Sequence, residues 1–135
     1  MKEKIKKKLK GELVLNIPAI HKEYLSGNVI ITRGMDNCLL LYNEKNWKEV
    51  AHNLQNRSTE QMTRHEIRFI DIILKGAVQL KIGDNGEIVV PSYFKDYASI
   101  KKDVVFIDLG SHLEVWGKEE FKKYREKNLK TQKLH

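Results

Sequence analysis

The stretch IGDNGEIVVP, at residues 82–91, has a counterpart early in the chain, GELVLNIP at residues 11–18. Each copy contains an apolar run that ends at a proline, which cannot continue a central strand. Asp84-Asn85-Gly86 also has the composition of a tight turn. The phrase therefore predicts one strand ending at a proline in each half of the chain. Each copy carries an acidic residue, Glu12 or Glu87, although the protein is basic.

The similarity between the two halves extends beyond this phrase. Pro18 and Pro91 lie 73 residues apart, as do Tyr24 and Tyr97. An offset of 74 then aligns Ile30 with Val104 and Leu39 with Leu113, among other apolar residues. The chemical types agree over about 35 positions, which predicts a duplicated structural unit.

Each copy predicts the same succession of elements. A strand (13–17 and 87–90) precedes a short helix (19–25 and 92–98) that starts next to the proline. Two β-branched runs joined by Gly, Asn and Asp then predict a hairpin, with turns at 33–37 and 108–111. An amphipathic helix follows in each copy, at 44–55 and at 118 to about 130.

The segment between the copies, residues 56–75, predicts a linking helix. Ser58 and Gln61 have the spacing of a capping box, and Gly76 suits the helix end. The predicted class is α+β, mainly β. Its predicted organisation is a basic arm or first strand (1–10), a first unit (11–55), the linking helix (56–75), a second unit (76–124) and a basic tail (125–135).

The net charge of +7 lies at the two ends of the chain. Residues 1–10 contribute +5 and residues 118–135 contribute +4, whereas the segment between them carries −2. Basic ends either hold a polyanion such as nucleic acid or act as solubilising tails. The single cysteine excludes an internal disulfide and suits a reducing cytoplasm, and no apolar run is long enough for a membrane span.

The sequence contains no arrangement typical of a catalytic or metal site. The five histidines do not cluster, and no phosphate-binding or dinucleotide fingerprint is present. Cys38 is interpreted as a buried strand cysteine rather than a nucleophile. Asp84-Asn85-Gly86-Glu87 lacks the alternating acids of a calcium loop, so a hairpin turn is the better interpretation. We expect a protein without enzymatic activity, cofactor or metal.

Three blocks carry a resemblance to a known family: VIITRGMDNCLLLYNEKNW, RHEIRFIDIILKGA and IVVPSYFKDYASIKKDVVFIDLGSHLEVWGKEEFKKY. In order and spacing, from about residue 13 to residue 124, they resemble the MraZ family. The resemblance implies two AbrB/SpoVT-like swapped-hairpin β-barrel units and assembly into a homo-oligomeric ring. It also implies transcription regulation in the cytoplasm and nucleoid, by binding G-rich direct repeats in double-stranded DNA upstream of the division and cell-wall gene cluster.

The phrase that opens each copy departs from the family pattern. The family has Asp-x-Lys-Gly-Arg, or Asp-x-x-Gly-Arg, before the strand, and there the arginine faces DNA. Here Val14 occupies the first arginine position and Glu87 the second. The resemblance therefore implies that both DNA-facing arginines are replaced in this chain.

Two functions from different classes remain open from the sequence. In the first, the chain is a DNA-binding regulator whose phosphate contacts come from Lys6, Lys7, Lys8 and Lys10, with Arg33 at a hairpin turn as a further candidate. In the second, the chain is an interaction scaffold that keeps the fold but has lost sequence-specific binding. An antitoxin-like partner protein is a third, weaker alternative.

Overall fold

A computed structural model describes residues 12–133, in which seven strands form two antiparallel sheets. The strands are β1 (Leu13–Asn16), β2 (Asn28–Arg33), β3 (Leu39–Asn43), β4 (Val78–Lys81), β5 (Glu87–Val90), β6 (Val104–Asp108) and β7 (Leu113–Gly117). The helices are α1 (Glu44–Gln55), α2 (Arg64–Lys75), α3 (Ser92–Tyr97) and α4 (Lys118–Lys133), with 3-10 turns at Lys22–Tyr24 and Met35–Asn37. β1 and β5 form a two-stranded ribbon, and the larger sheet has the order β4-β2-β3-β7-β6. The predicted α+β class is confirmed.

A local two-fold axis relates the two halves of the chain. In the larger sheet, Leu39 of β3 lies opposite Val115 of β7, and Leu41 lies opposite Leu113. With an offset of 74, Leu39 corresponds to Leu113 and Leu41 to Val115, so exchanging the halves leaves this pairing unchanged. The pairing of β1 with β5 in the ribbon is likewise unchanged when the halves are exchanged with an offset of 73 residues. The duplicated units therefore interlock at two places, and each contributes one strand to each junction.

The strand registers correct the sequence alignment by one residue. Val29 of β2 lies opposite Asn43, whereas Val104 of β6 lies opposite Gly117, the counterpart of Asn43. Val104 is therefore the counterpart of Val29, and the predicted match of Ile30 with Val104 is wrong. The physical reason is the loop length, because five residues (34–38) join β2 to β3 and only four (109–112) join β6 to β7.

One hydrophobic core is shared by both halves. Its fully buried members come from strands of both sheets and from the segments after each proline, and include Leu15, Tyr24, Ile31, Leu39, Leu41, Ile88, Phe94, Leu113 and Val115. On the opposite face of the larger sheet, Trp47 of α1 packs on Tyr42, and Phe121 of α4 packs on Trp116. Because residues of both halves contribute to this core, neither half encloses a core without the other.

Three local predictions need correction. α2 begins at Arg64, and its capping box is formed by Thr63 and Glu66 instead of Ser58 and Gln61. Each member of that box accepts the other's backbone N–H, and these bonds lower the pKa of Glu66. The helix predicted at 19–25 contracts to one 3-10 turn, because His21 has non-helical dihedrals (φ −93°, ψ 62°). β4 was not predicted, whereas the bounds of α1 agree with the prediction.

The turn at Asp84-Asn85-Gly86 joins two sheets instead of closing a simple hairpin. Gly83 donates its N–H to the Glu87 carbonyl (2.8 Å), and Gly86 donates to the Gly83 carbonyl (3.0 Å). The strand before the turn, β4, pairs with β2, whereas the strand after it, β5, pairs with β1. Gly86 has a φ of 79°, and a Cβ built on it would lie 3.2 Å from the Ile17 carbonyl oxygen.

Gly86→Ala should therefore lower the free energy of unfolding by about 2–3 kcal/mol, since it combines a left-handed backbone with a crowded strand carbonyl. Gly110→Ala is the matched control, because Gly110 has a φ of 89° and open space around its Cβ position. Gly110→Ala should lower the free energy of unfolding by only about 1 kcal/mol, because only the backbone conformation is unfavourable there. Urea denaturation measures both values, and equal effects would show that the crowding against Ile17 is unimportant.

Candidate nucleic-acid interface

The β1–β5 ribbon has one buried and one outward face. Leu15, Ile88 and Val90 point into the core, as the alternation of a strand requires. Val14 and Glu87 therefore lie on the outward face, and both are half-buried. Val14 and Glu87, the positions that the sequence resemblance aligns with arginines, are thus counterparts across the local two-fold axis, on a single surface.

Cross-strand neighbours complete this outward face. Val14 lies opposite Val89, and Glu87 lies opposite Asn16. Residues 12–17 and 83–90 contain no lysine or arginine, whereas Glu12, Asp84 and Glu87 are acidic. The Val14–Val89 pair offers no positive charge to phosphate, and Glu87 adds a negative charge to this face, which raises the free energy of approach of a polyanion. The ribbon residues themselves cannot neutralise a nucleic-acid backbone.

The predicted lysine contacts fall at the start of the chain. Lys6, Lys7, Lys8 and Lys10 lie outside the described residues, so their role stays a prediction. Lys10 precedes the first described residue, Glu12, by only two positions. A cationic segment therefore joins the acidic ribbon directly in sequence. The predicted basic tail is helical over its first part, since α4 continues to Lys133.

Arg33, the other predicted contact, is the last residue of β2 and is half-buried against α3. Its guanidinium lies over the rings of Tyr93, Phe94 and Tyr97, at 5.5, 5.6 and 5.5 Å from their centroids. The Tyr97 hydroxyl donates a hydrogen bond to the carbonyl of Gly34, next to Arg33. Burial raises the pKa of Tyr97, which keeps this hydroxyl protonated at neutral pH.

This aromatic cluster was missed by sequence reasoning. Tyr93, Phe94 and Tyr97 have the spacing of one helix face, and that spacing was the available signal. A guanidinium stacked on aromatic rings is stabilised by cation–π attraction of about 0.5–2 kcal/mol. These contacts hold the Arg33 guanidinium against α3 and favour a structural role.

The remaining reactive groups lack the geometry of a catalytic site. Cys38 is buried just before β3, and its thiol donates to the Met35 carbonyl. Burial raises the pKa of this thiol to about 12, so the nucleophilic thiolate does not form at neutral pH. Within residues 12–133, no three His, Cys, Asp or Glu side chains come together as a metal site. None of the helices in this part of the chain has the length and hydropathy needed to cross a bilayer.

Two hairpin units that interlock about a local two-fold axis, with a ribbon shared between them, define a duplicated AbrB-like swapped-hairpin protein. The chain belongs to the MraZ family. The family model, described as MraZ protein and as antitoxin-like, matches it at residues 15–69 and again at 73–134. These two matches coincide with the two halves.

Individual relatives agree with this assignment. The chain is 35% identical over 116 residues to the transcriptional regulator MraZ of Caldanaerobacter subterraneus subsp. tengcongensis, covering 85% of this chain and 78% of that protein. It is 34% identical over 119 residues to the transcriptional regulator MraZ of Heliobacterium modesticaldum, covering 87% and 80%. The resemblance stated from the sequence is confirmed. The expectation of a non-enzymatic protein is also confirmed, because these relatives are named as regulators.

Arg33→Ala should lower the free energy of unfolding by about 1–2 kcal/mol, since it removes the cation from three rings. Arg33→Lys should recover only part of this stability, because an ammonium does not stack as a planar guanidinium does. Arg64→Ala on the exposed face of α2 is the control and should change stability by no more than about 0.5 kcal/mol. Thermal and urea denaturation measure all three variants. An Arg33→Ala variant of unchanged stability would contradict a structural role.

Proposed function

We propose that this chain is a DNA-binding transcriptional regulator that recognises short direct repeats upstream of the division and cell-wall gene cluster. The observation that carries the proposal is the match to the MraZ family in both halves, with relatives that are named as transcriptional regulators. The ordered ribbon supports it, because both positions of the family's DNA-facing arginines lie on one outward surface. On this proposal the protein works in the cytoplasm, at the nucleoid.

The ribbon segments contain no lysine or arginine. On this proposal, the positive charge that contacts DNA phosphates therefore comes from elsewhere in the chain. Glu87 and Val14 offer no cation to phosphate, whereas Lys6, Lys7, Lys8 and Lys10 immediately precede β1. Lysine-to-phosphate contacts hold DNA without reading its sequence. We therefore propose an arm that supplies affinity, next to a ribbon whose base-reading capacity is reduced.

Assembly into a ring of several copies is part of the same proposal. α2 is strongly amphipathic, yet it buries none of its residues, and Ile67 and Ile72 are 40% and 42% exposed. A cleft of about 250 Å³ lies beside it, lined by Trp47, Leu74 and other residues of α1, β2 and β4. Exposed apolar surface of this kind favours contact with another copy. A ring would also place several weak DNA contacts on adjacent repeats at once.

The alternative is an oligomeric scaffold without sequence-specific DNA binding. The specific observation in its favour is the outward ribbon face, where Val14 pairs with Val89 and the charged residue of the other pair is Glu87. Such a face is better suited to a protein surface than to phosphate. The two functions predict different binding. A sequence-specific regulator binds direct-repeat DNA more tightly than scrambled DNA, whereas the scaffold shows no such preference.

The arm lysines can be tested by replacing Lys6, Lys7, Lys8 and Lys10 together with glutamine. Affinity for a G-rich direct-repeat duplex and for a scrambled duplex should fall by a similar factor, because phosphate contacts carry no base information. The salt slope should decrease by about one unit for each phosphate that the arm no longer neutralises. Fluorescence anisotropy titrations at several salt concentrations measure both effects. An unchanged slope would identify the arm as a solubilising tail.

Restoring the altered positions tests the ribbon. Val14→Arg with Glu87→Arg should create a preference for direct repeats over scrambled DNA of about tenfold or more, since one base-reading arginine contributes about 1–3 kcal/mol. Val14 is only half-buried, so the arginine can extend into solvent. Glu49→Arg with Gln55→Arg on α1 adds the same charge at exposed positions and serves as control. Equal gains in both double variants would show a non-specific charge effect and would favour the scaffold.

The ring can be tested on α2. Sedimentation velocity at micromolar concentration should give species several times larger than the 15.8 kDa chain. Ile67→Glu with Ile72→Glu should shift them towards smaller species, because a buried carboxylate opposes association. Ile20→Glu is the control, since Ile20 is 80% exposed and lies far from α2 in sequence. A wild-type protein that sediments as a monomer would refute the ring.

A further inference from the structure

A cleft of about 210 Å³ lies where the start of α4 meets the segment before β6. Three lysines line it, Lys101 and Lys102 from that segment and Lys118 from α4. All three side chains are exposed, and none of them forms an ion pair within residues 12–133. The acids at the cleft are Asp103 and Glu119, so the lysines outnumber them. The cleft therefore concentrates positive charge that no ion pair neutralises.

α4 extends this positive charge away from the cleft. Lys118, Lys122 and Arg125 follow the spacing i, i+4, i+7, so they lie on one face of the helix, and all three are exposed. Between the first and the last of them the helix rises by about 10 Å. The α4 basic surface is defined here as Lys101, Lys102, Lys118, Lys122 and Arg125.

The first half of the chain has no equivalent of this surface. With the offset of 74 that relates α1 to α4, the three helix positions are occupied by Glu44, Lys48 and Ala51. The segment before the strand differs as well. Residues 25–28 contain no charged residue, whereas residues 98–103 are longer by two and contain both loop lysines. Because the two halves share one fold without sharing these cations, the fold does not require them.

A contact in the first half shows that this place in the unit accepts an anion. The Glu44 carboxylate accepts the backbone N–H of Asn28 at 3.3 Å, where α1 begins beside β2. In the second half the position of Glu44 is occupied by Lys118, and a lysine ammonium cannot accept a hydrogen bond. The counterpart of Asn28 is Asp103, which lines the cleft. The carboxylate of the first half is thus replaced by cations that attract an external anion.

We propose that the α4 basic surface binds the phosphate backbone of double-stranded DNA, with one phosphate at the cleft and its neighbours along α4. This inference rests on the proposed function and adds to the arm a contact surface on the folded body. Duplex DNA carries one negative charge per about 1.7 Å of its axis, so cations spread over about 10 Å face several phosphates at once. Such contacts set affinity and carry no sequence information.

The packing of α4 favours DNA over an anionic bilayer as the partner. A basic helix that binds a membrane surface inserts its apolar face between the lipids. In α4, Phe121 and Tyr124 are engaged instead with Trp116, at 5.6 and 4.7 Å between ring centroids. Leu129, at 51% exposure, is left as one apolar side chain for a bilayer. The surface therefore offers charge without an apolar face to insert.

The cleft can be tested by replacing Lys101, Lys102 and Lys118 together with glutamine in the full-length chain. Affinity for a G-rich direct-repeat duplex and for a scrambled duplex should each fall at least about tenfold at low salt. The salt slope should decrease by about two to three units, about one for each phosphate released. Fluorescence anisotropy at several salt concentrations measures both effects. Thermal denaturation should show an unchanged fold, because all three side chains are exposed.

The matched control removes the same charge elsewhere, with Lys45, Lys75 and Lys123 replaced by glutamine. These lysines are exposed and lie outside the α4 basic surface, and two of them are already paired, with Asp71 and Glu120. The control should lower affinity by less than about threefold, because it changes only the net charge. Equal losses in the two triple variants would overturn the proposal.

A single substitution tests the anion position itself. Lys118→Glu restores the carboxylate that the first half has in Glu44, so it should weaken the binding of both duplexes at least about tenfold. The fold should remain stable, because an acid favours the first turn of a helix. Lys123→Glu makes the same charge change on another face of α4 and should weaken binding by less than about threefold. Equal effects of the two substitutions would contradict a phosphate at the cleft.

The outcomes separate this inference from the proposed function. A wild-type protein that prefers direct repeats, with a cleft variant that binds equally well, would overturn the inference and leave the function intact. A wild-type protein without sequence preference, with a cleft variant that no longer binds, would support the surface and overturn sequence-specific regulation. A wild-type protein that binds neither duplex would overturn both. Phosphatidylserine vesicles that lose the cleft variant while DNA retains it would identify a bilayer as the partner and overturn the inference.

Discussion

The antiparallel pairing of β3 with β7 is the interaction on which the rest of the molecule depends. It places Leu39 and Leu41 of one half against Val115 and Leu113 of the other, at the centre of the larger sheet. Because both partners come from equivalent hairpins, this ladder generates the local two-fold axis. The β1–β5 ribbon also has a register that is symmetric between the halves, and α1 and α4 pack on equivalent aromatic residues of the outer face.

Sequence reasoning succeeded where a short segment determines its own structure. Asn43 caps α1 by accepting the Asn46 N–H, so the bounds of that helix could be read from local chemistry. Reasoning failed where the answer depends on a distant strand. β4 is a strand because β2 provides its neighbour. β2 and β6 are related by 75 residues instead of 74 because the loop between β6 and β7 is one residue shorter than the loop between β2 and β3. The aromatic contacts of Arg33 were missed for the same reason, since β2 and α3 meet only in the folded chain.

Alternation along the ribbon separates the residues that fill the core from those on the outward face. Leu15 and Ile88 point inward and keep the core intact, whereas their neighbours Val14 and Glu87 point outward. Substitutions at the outward positions leave the fully buried residues Leu15 and Ile88 in place. This arrangement allows the outward residues of the ribbon to vary in charge while the chain keeps the fold of its family. A candidate interface in such a protein must therefore be judged residue by residue, and not from the fold alone.

The interlocked topology has a consequence for biosynthesis. The residues of β1 pair with residues of β5 that follow 71 to 77 positions later in the chain. At a typical translation rate of about 5–20 residues per second, the first strand leaves the ribosome roughly 4 to 15 s before its partner exists. During that interval the β2–β3 hairpin can close locally, but its inward side chains, Ile31 and Leu41 among them, have no opposing half. Productive folding of this protein is thus largely post-translational, and the nascent first half exposes apolar strands to which a chaperone, or the first half of another nascent chain, can bind.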